Sequence, residues 1–412
     1  MTPKFLVLAL STLPFALSQR NYPLTTDASC ACYLTNATKP SYFTHHYFFD
    51  FRSQPVPSST PTPLSTFESN AEAPPTSSYF SSPEWTSAWA IQSWNNTGLL
   101  ALKNSTVTDA SLPMVNSANN IYFEPDHDNP NSTYLTMRTV RHADFQSSAE
   151  FESRATTYQF LSIRMLARTR GPPGAVTAMF TYRPPPIPHN LMLVQEADLE
   201  IRTSDPETHV SYTNQPSWNS TGDIPEATRN VTLPGRKRWS EWAVYRMDWT
   251  PGSSTWFVNG VMNGEIKFQA PRDPMQIMFN VWSDGGSWSG TMKEGESAKM
   301  QVQWIDLVYN STETKKQGGC RDVCSIDETT KTGIPVLMSG QQPAPAASQR
   351  PPAPAVSQRP PAPAGSQQPA PLACAASVKK YDQCNGKNFN GCKGCPSGTT
   401  CRFQNDYYSQ CL

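Results

Sequence analysis

The sequence predicts an all-β protein, a sandwich or jelly roll of many short strands followed by a small disulfide-rich unit. Three observations lead there. Apolar and polar residues alternate in short runs through the first 310 residues, the period of a strand with one buried face. Clusters of Gly, Pro, Asp and Ser separate the runs, as turns do. No long stretch keeps a clean 3.6-residue period, so helices should be few.

The elements follow in chain order. The N-terminus, MTPKFLVLALSTLPFALSQR, has a lysine, an apolar run and Ala16-Leu17-Ser18. That layout predicts a secretory signal over residues 1–18; the apolar run is too short to cross a bilayer. The body, residues 19–325, contains the strand-like runs. They are AVTAMFTY (175–182), HVSYTN (209–214), WAVYRMDW (242–249), STWFVNGV (254–261), QIMFNVW (276–282) and MQVQWIDLVY (300–309). WTPGSSTWFVNG places a turn between two such runs and predicts a hairpin. Residues 326–373 are read as a linker. Its part from 341 holds almost only Gln, Pro, Ala, Ser and Arg and repeats SQRPPAPA. Such a segment buries no apolar surface and extends toward polyproline II, about 3 Å per residue. Residues 374–412 hold six of the ten cysteines; a unit that small needs staples.

Composition limits the function. Formal net charge is zero and only 16% of residues are charged, so no basic field serves nucleic acid or an anionic membrane. No later stretch is apolar enough to cross a membrane. An even cysteine count and seven Asn-x-Ser/Thr sequences, at Asn36, Asn95, Asn104, Asn131, Asn219, Asn230 and Asn310, fit an exported, glycosylated, extracellular protein. Cys30, Cys32, Cys320 and Cys324 bracket the body. Each of the first two is expected to pair with one of the last two, in an order the sequence leaves open.

The chemistry centres on VQEADLEI, residues 194–201. On a strand, Glu196, Asp198 and Glu200 share one face, and Leu193, Ala197, Leu199 and Ile201 share the other with Gln195. A solvated strand face or a calcium site would use such carboxylates too. Yet adjacent runs supply Tyr, Asn and Trp where Lys or Arg would balance a plain charged face, and calcium loops set Asp, Asn and Gly on turns. Paired carboxylates in an aromatic cleft are what glycoside cleavage needs: one attacks, the other donates and returns a proton. The Asp between them is expected to help keep one Glu protonated by its charge.

QEADLE resembles the E-x-D-x-E strand of glycoside hydrolase family 16. The resemblance continues in IRMLARTRGPPGAVTAMFTY, in SYTNQP, in WAVYRMDWTPGSSTWFVNGV, in PMQIMFNVWSDGGSWSG and in WIDLVY. It covers about residues 140–310 well and 30–140 loosely. It implies a concanavalin A-like β-jelly-roll with a concave cleft and cleavage with retention. Glu196 is then the nucleophile, Glu200 the general acid/base and Asp198 the assisting carboxylate. The regular E-x-D-x-E form is lichenase-like, and it implies sugar contacts from Asn214, Asn280 and Trp282, with Tyr212 and Trp288 as further candidates. Trp249 and Trp256 read as sheet packing. Gln195 stands where lichenases have Asp, and residues 50–85 match no family segment.

The tail, CAASVKKYDQCNGKNFNGCKGCPSGTTCRFQNDYYSQCL, resembles carbohydrate-binding module family 1, the fungal cellulose-binding domain. That resemblance implies bridges Cys384–Cys401 and Cys395–Cys411, with Cys374–Cys392 as the extra one. It also implies a binding face of Tyr381, Tyr407 and Tyr408 beside Asn405 and Gln410. The expected partner is polysaccharide, β-glucan and a cellulose surface, bound by a monomer. No cofactor and no catalytic metal are expected; a structural calcium ion stays an open alternative. The function expected is endo-acting hydrolysis of β-glucan, mixed 1,3/1,4-linked first. A wall-remodelling transglycosylase and a non-catalytic glucan-binding protein are the alternatives.

Overall fold

The computed structural model describes residues 22–37, 39–101, 108–187, 190–314, 320–338, 383–385, 395–405 and 408–411. The expected signal segment 1–18 lies outside these residues, as does the repetitive stretch from 339 to 373. Strands dominate; the described α-helices, Pro83–Thr86 and Thr97–Leu100, are four residues each.

Six strands build the cleft sheet: β1 (Gln146–Ser153), β2 (Val176–Arg183), β3 (Gln195–Arg202), β4 (His209–Gln215), β5 (Thr228–Thr232) and β6 (Gln276–Trp282). Their order across the sheet is β5-β4-β3-β2-β6-β1, with antiparallel neighbours throughout. The facing sheet runs Thr133–Arg141, Ser297–Ser311, Tyr158–Arg170, Ala243–Thr250, Ser253–Val258 and Val261–Ile266. The expected hairpin is there: Tyr245 to Thr250 pairs with Ser253 to Val258. Alternation puts Ala197, Leu199 and Ile201 into one core with Met165, Met247, Trp249 and Trp256. Leu193 leaves this pattern: it sits in a 3-10 turn before β3 and is exposed. Residues 50–85 complete the core, because Phe51, Tyr79, Phe80 and Trp85 pack together with Phe123.

A smaller sheet covers the outer face of the facing sheet. Ser41–Phe43, Cys32–Thr35, Val323–Ser325 and Val336–Leu337 form it in that order. The cysteines pair Cys30–Cys324 and Cys32–Cys320, fastening the two ends of the body. The linker therefore begins later than residue 326. Ile326 is buried with Tyr33, Phe43 and Val308. Asp327 binds the Arg164 and Arg246 side chains, and Val336 pairs with Ser325. An apolar residue and a carboxylate in a stretch of low periodicity found partners that sequence spacing did not announce.

Beneath this cover, His46 bridges Asp27 at 2.7 Å and Asp306 at 2.9 Å. Burial opposes its charge, but the two carboxylate hydrogen bonds prevail and raise its pKa to about 9. A raised pKa means stability that is full below the unfolded value near 6.5 and is lost as pH rises through about 9. Thermal unfolding from pH 6 to 9.5 should show this fall, and His46→Gln should flatten it. An unchanged slope in the variant would show that the imidazole carries no linked charge.

Candidate active site

β3 carries the three carboxylates because strict alternation on a straight strand sends positions 196, 198 and 200 to the same side. Register then sets their neighbours in rows. Glu196 lies between Gln215 and Tyr182, Asp198 between Thr213 and Phe180, and Glu200 between Ser211 and Ala178. No cation stands in these rows. Gln195, on the opposite side, accepts from the backbone N–H groups of Arg272 and Asp273, which fixes where β3 enters the sheet.

The carboxylates line a cleft of about 930 Å3 together with Trp282, Trp288 and Trp218. Asp198 is buried, 3% exposed. Burial pushes Glu196 and Asp198 above the ordinary carboxylate range. Glu196 is pushed up to about 8, first by burial and also by the Glu200 charge, with the Asp198 contact opposing; Asp198 is raised by burial and by the charges of Glu196 and Glu200, so the two titrate together. Gln215 also hydrogen-bonds Asp198. Glu200 is pushed up to about 7, first by burial, against the opposing pull of the Trp288 indole and Arg202. Burial, not the Asp198 charge the sequence suggested, is therefore what raises Glu200. Arg202 stacks on the Trp288 ring at 4.3 Å and is itself held by both oxygens of Asp205.

The other sugar-contact candidates divide. Asn280 shares the cleft face: its row continues from Glu200 through Ala178 to Asn280 and Glu150, and its amide donates to Glu150 at 3.4 Å. Trp282 and Trp288 line the cleft. Tyr212 and Asn214 do not. Tyr212 pairs with Leu199 and Asn214 with Ala197, so both point into the core. Tyr212 is fully buried and stacks on Trp256 at 4.8 Å. Asn214 donates to the carbonyls of Ile266 and Phe268. The cleft-facing residues of β4 are instead Ser211, Thr213 and Gln215. Gln215 and Glu150 were missed. The first is one residue past Y-T-N, and the second sits in SSAEFES, where alternation of Glu150 and Glu152 was the available signal.

Asn214→Ala should therefore lower stability, by about 1–3 kcal/mol for a lost buried hydrogen-bonding amide, with KM for glucan unchanged. A raised KM at unchanged melting temperature would contradict the core placement.

In the C-terminal unit, Cys384 is bonded to Cys401, and Cys395 is disulfide-bonded. Cys401–Asn405 pairs with Tyr408–Cys411, which places Asn405, Tyr408 and Gln410 along one hairpin. Cys374, Cys392, Tyr381 and Tyr407 lie outside the described residues.

A β-sandwich with two carboxylates flanking a third in an aromatic cleft holds the groups that glycoside hydrolysis needs. Residues 110–306 match the model of glycosyl hydrolases family 16, and residues 380–408 match that of the fungal cellulose binding domain. The first match lies within the body and the second within the C-terminal unit. Endoglucanase EG-1 of Hypocrea jecorina is 62% identical over 32 residues, 8% of this chain and 7% of that protein. Beta-glucanase of Paenibacillus polymyxa is 31% identical over 68 residues, 16% of this chain and 29% of that protein. The chain thus spans under a third of the length of either relative. Among solved structures, Bacillus licheniformis beta-glucanase aligns with a TM-score of 0.42 at 20% identity, over 55% of this chain and 93% of that one.

Proposed function

We propose that the chain is a secreted, retaining endo-β-glucanase that hydrolyses cell-wall β-glucan, mixed 1,3/1,4-linked glucan first, and is directed to cellulose by its C-terminal module. The observation that carries this reading is the arrangement on β3: Glu196 and Glu200 on one face with Asp198 between them, lining a cleft with Trp282 and Trp288.

Glu196 attacks the anomeric carbon while the bond to the departing sugar oxygen breaks. Glu200 gives its proton to that oxygen, so the departing chain leaves neutral. The product is a glycosyl ester on Glu196. Asp198, beside Glu196, favours the carboxylate needed for attack, because its contact lowers the Glu196 pKa against the effect of burial. Glu200, now a carboxylate, takes a proton from water, whose oxygen attacks the same carbon and frees Glu196. Two displacements at one carbon retain its configuration. Trp282 offers a ring to the apolar face of a sugar, and Asn280 an amide to its hydroxyls.

The test is reducing-end release from mixed-linkage β-glucan by the full chain, with Glu196→Gln as control. Release by the wild type alone is expected. It should decline as pH rises through about 7, because Glu200 with its raised pKa loses the proton it must donate. Transfer to a labelled acceptor without net release would mark a transglycosylase, and retention on glucan with neither reaction a binding protein.

A further inference from the structure

The sequence S-W-N-x-T-G occurs twice, as Ser93 to Gly98 and as Ser217 to Gly222, and the fold sets the two copies at opposite edges of the cleft sheet. The second copy directly follows β4, and its Trp218 and Asn219 line the cleft beside the carboxylates. The first copy meets β1. Its Trp94 indole donates to Glu150 at 2.6 Å, the residue that ends the row Ser211–Glu200–Ala178–Asn280–Glu150. That row crosses five strands, about 19 Å at the usual spacing.

The two turns have the same internal geometry. Asn95 Oδ1 accepts from Thr97 N at 3.1 Å and Thr97 Oγ1 at 2.5 Å. Asn219 Oδ1 accepts from Thr221 N at 2.8 Å and Thr221 Oγ1 at 2.6 Å. In both, the threonine occupies the amide oxygen and leaves the amide nitrogen as the reactive end. Asn36, Asn230 and Asn310 differ: their amide nitrogens donate to Glu328, Asp205 and the Tyr42 carbonyl. The preceding Trp94 and Trp218 are 42% and 36% exposed, unlike the core tryptophans.

We propose that Asn95 and Asn219 carry N-linked oligosaccharides that stand at the two edges of the cleft and restrict it to unbranched chains. The inference rests on the export and glucan-binding readings above. In the modification, Asn Nδ2 bonds to the anomeric carbon of a lipid-diphosphate-linked oligosaccharide. The amide loses one proton, and the lipid diphosphate leaves with the electrons of the broken C–O bond. A bulky, hydrated sugar on each edge leaves a straight polysaccharide chain free to cross the floor but collides with side branches, which is discrimination by exclusion.

Glycopeptide mass spectrometry of the full chain secreted from a glycosylating eukaryotic host should find sugar on both asparagines. The double variant Thr97→Ala/Thr221→Ala removes both acceptor sequences and keeps every asparagine and tryptophan. Its rate on linear mixed-linkage glucan should stay within about twofold of wild type, and its rate on a xylosyl- or glucosyl-branched β-glucan should rise about fivefold or more. Bare asparagines overturn the proposal. So does full occupancy with an unchanged branched-to-linear ratio. Occupancy is read without catalysis, so an inactive chain with both sugars in place counts against the glucanase reading alone; retention on insoluble branched and linear glucan then supplies the ratio.

Discussion

Glu196→Ala should lower glucan hydrolysis by a factor on the order of 10⁴ or more, because removal of a covalent nucleophile abolishes the two-step route. The loss alone does not assign the role, since Glu200→Ala should also cost on the order of 10²–10⁴. A small external nucleophile separates them. With azide and an aryl β-glycoside, Glu196→Ala leaves room for a single displacement and should give the α-glycosyl azide. Glu200→Ala still forms the ester on Glu196, so azide enters in the second step and should give the β-glycosyl azide. Identical product configuration from the two variants would contradict the assigned roles. The assignment follows from position in the E-x-D-x-E strand, Glu196 before and Glu200 after Asp198 on one face; burial raises both glutamates.

Asp327→Ala should destabilise the body by about 3–5 kcal/mol, the usual cost of leaving buried charge unpaired. Arg164 and Arg246 are direct cross-strand partners on the outer face of the facing sheet, where two like charges would repel. Asp248 binds Arg246 at 2.7 Å. Asp327 joins the pair, reaching Arg246 at 3.3 Å and contacting Arg164 and the Asn36 backbone N–H as well. Burial works against its ionisation, but the two guanidinium groups prevail and hold its pKa below the ordinary value. Calorimetry should show a drop in melting temperature on the order of 10 °C, with hydrolysis at low temperature retained. An unchanged melting temperature would mean that water reaches both arginines. The prediction concerns a residue that composition assigned to the linker, beyond the stretch that matches the family model.

Several features were legible because they are local. The period of two in VQEADLEI fixed which residues of β3 face together, and Ala197, Leu199 and Ile201 are in the core as alternation requires. The Pro-Gly turn inside WTPGSSTWFVNG gave the hairpin. Trp249 and Trp256, flanked by apolar alternation, are core residues. The S-W-N-x-T-G repeat was equally visible, but its placement at two edges of one sheet was not.

By itself the sequence determined the all-β class, part of the strand set, the carboxylate face and the two families that the chain resembles, because each depends on spacing within a few residues. The tertiary structure decided what spacing leaves free. Alternation gives two faces per strand but does not say which one meets the neighbour's reactive face. In β4 the parity of Tyr212 and Asn214 and that of Ser211, Thr213 and Gln215 were equally polar on paper. One register, Glu196 opposite Gln215, sent the first pair to the core and the second set to the cleft. The pairing of Cys30 with Cys324, the folding of residues 326–338 and the raised pKa values of the cleft carboxylates likewise depend on atoms far apart in sequence. Distance and burial, which set hydrogen bonds and pKa values, exist only once the chain has closed on itself.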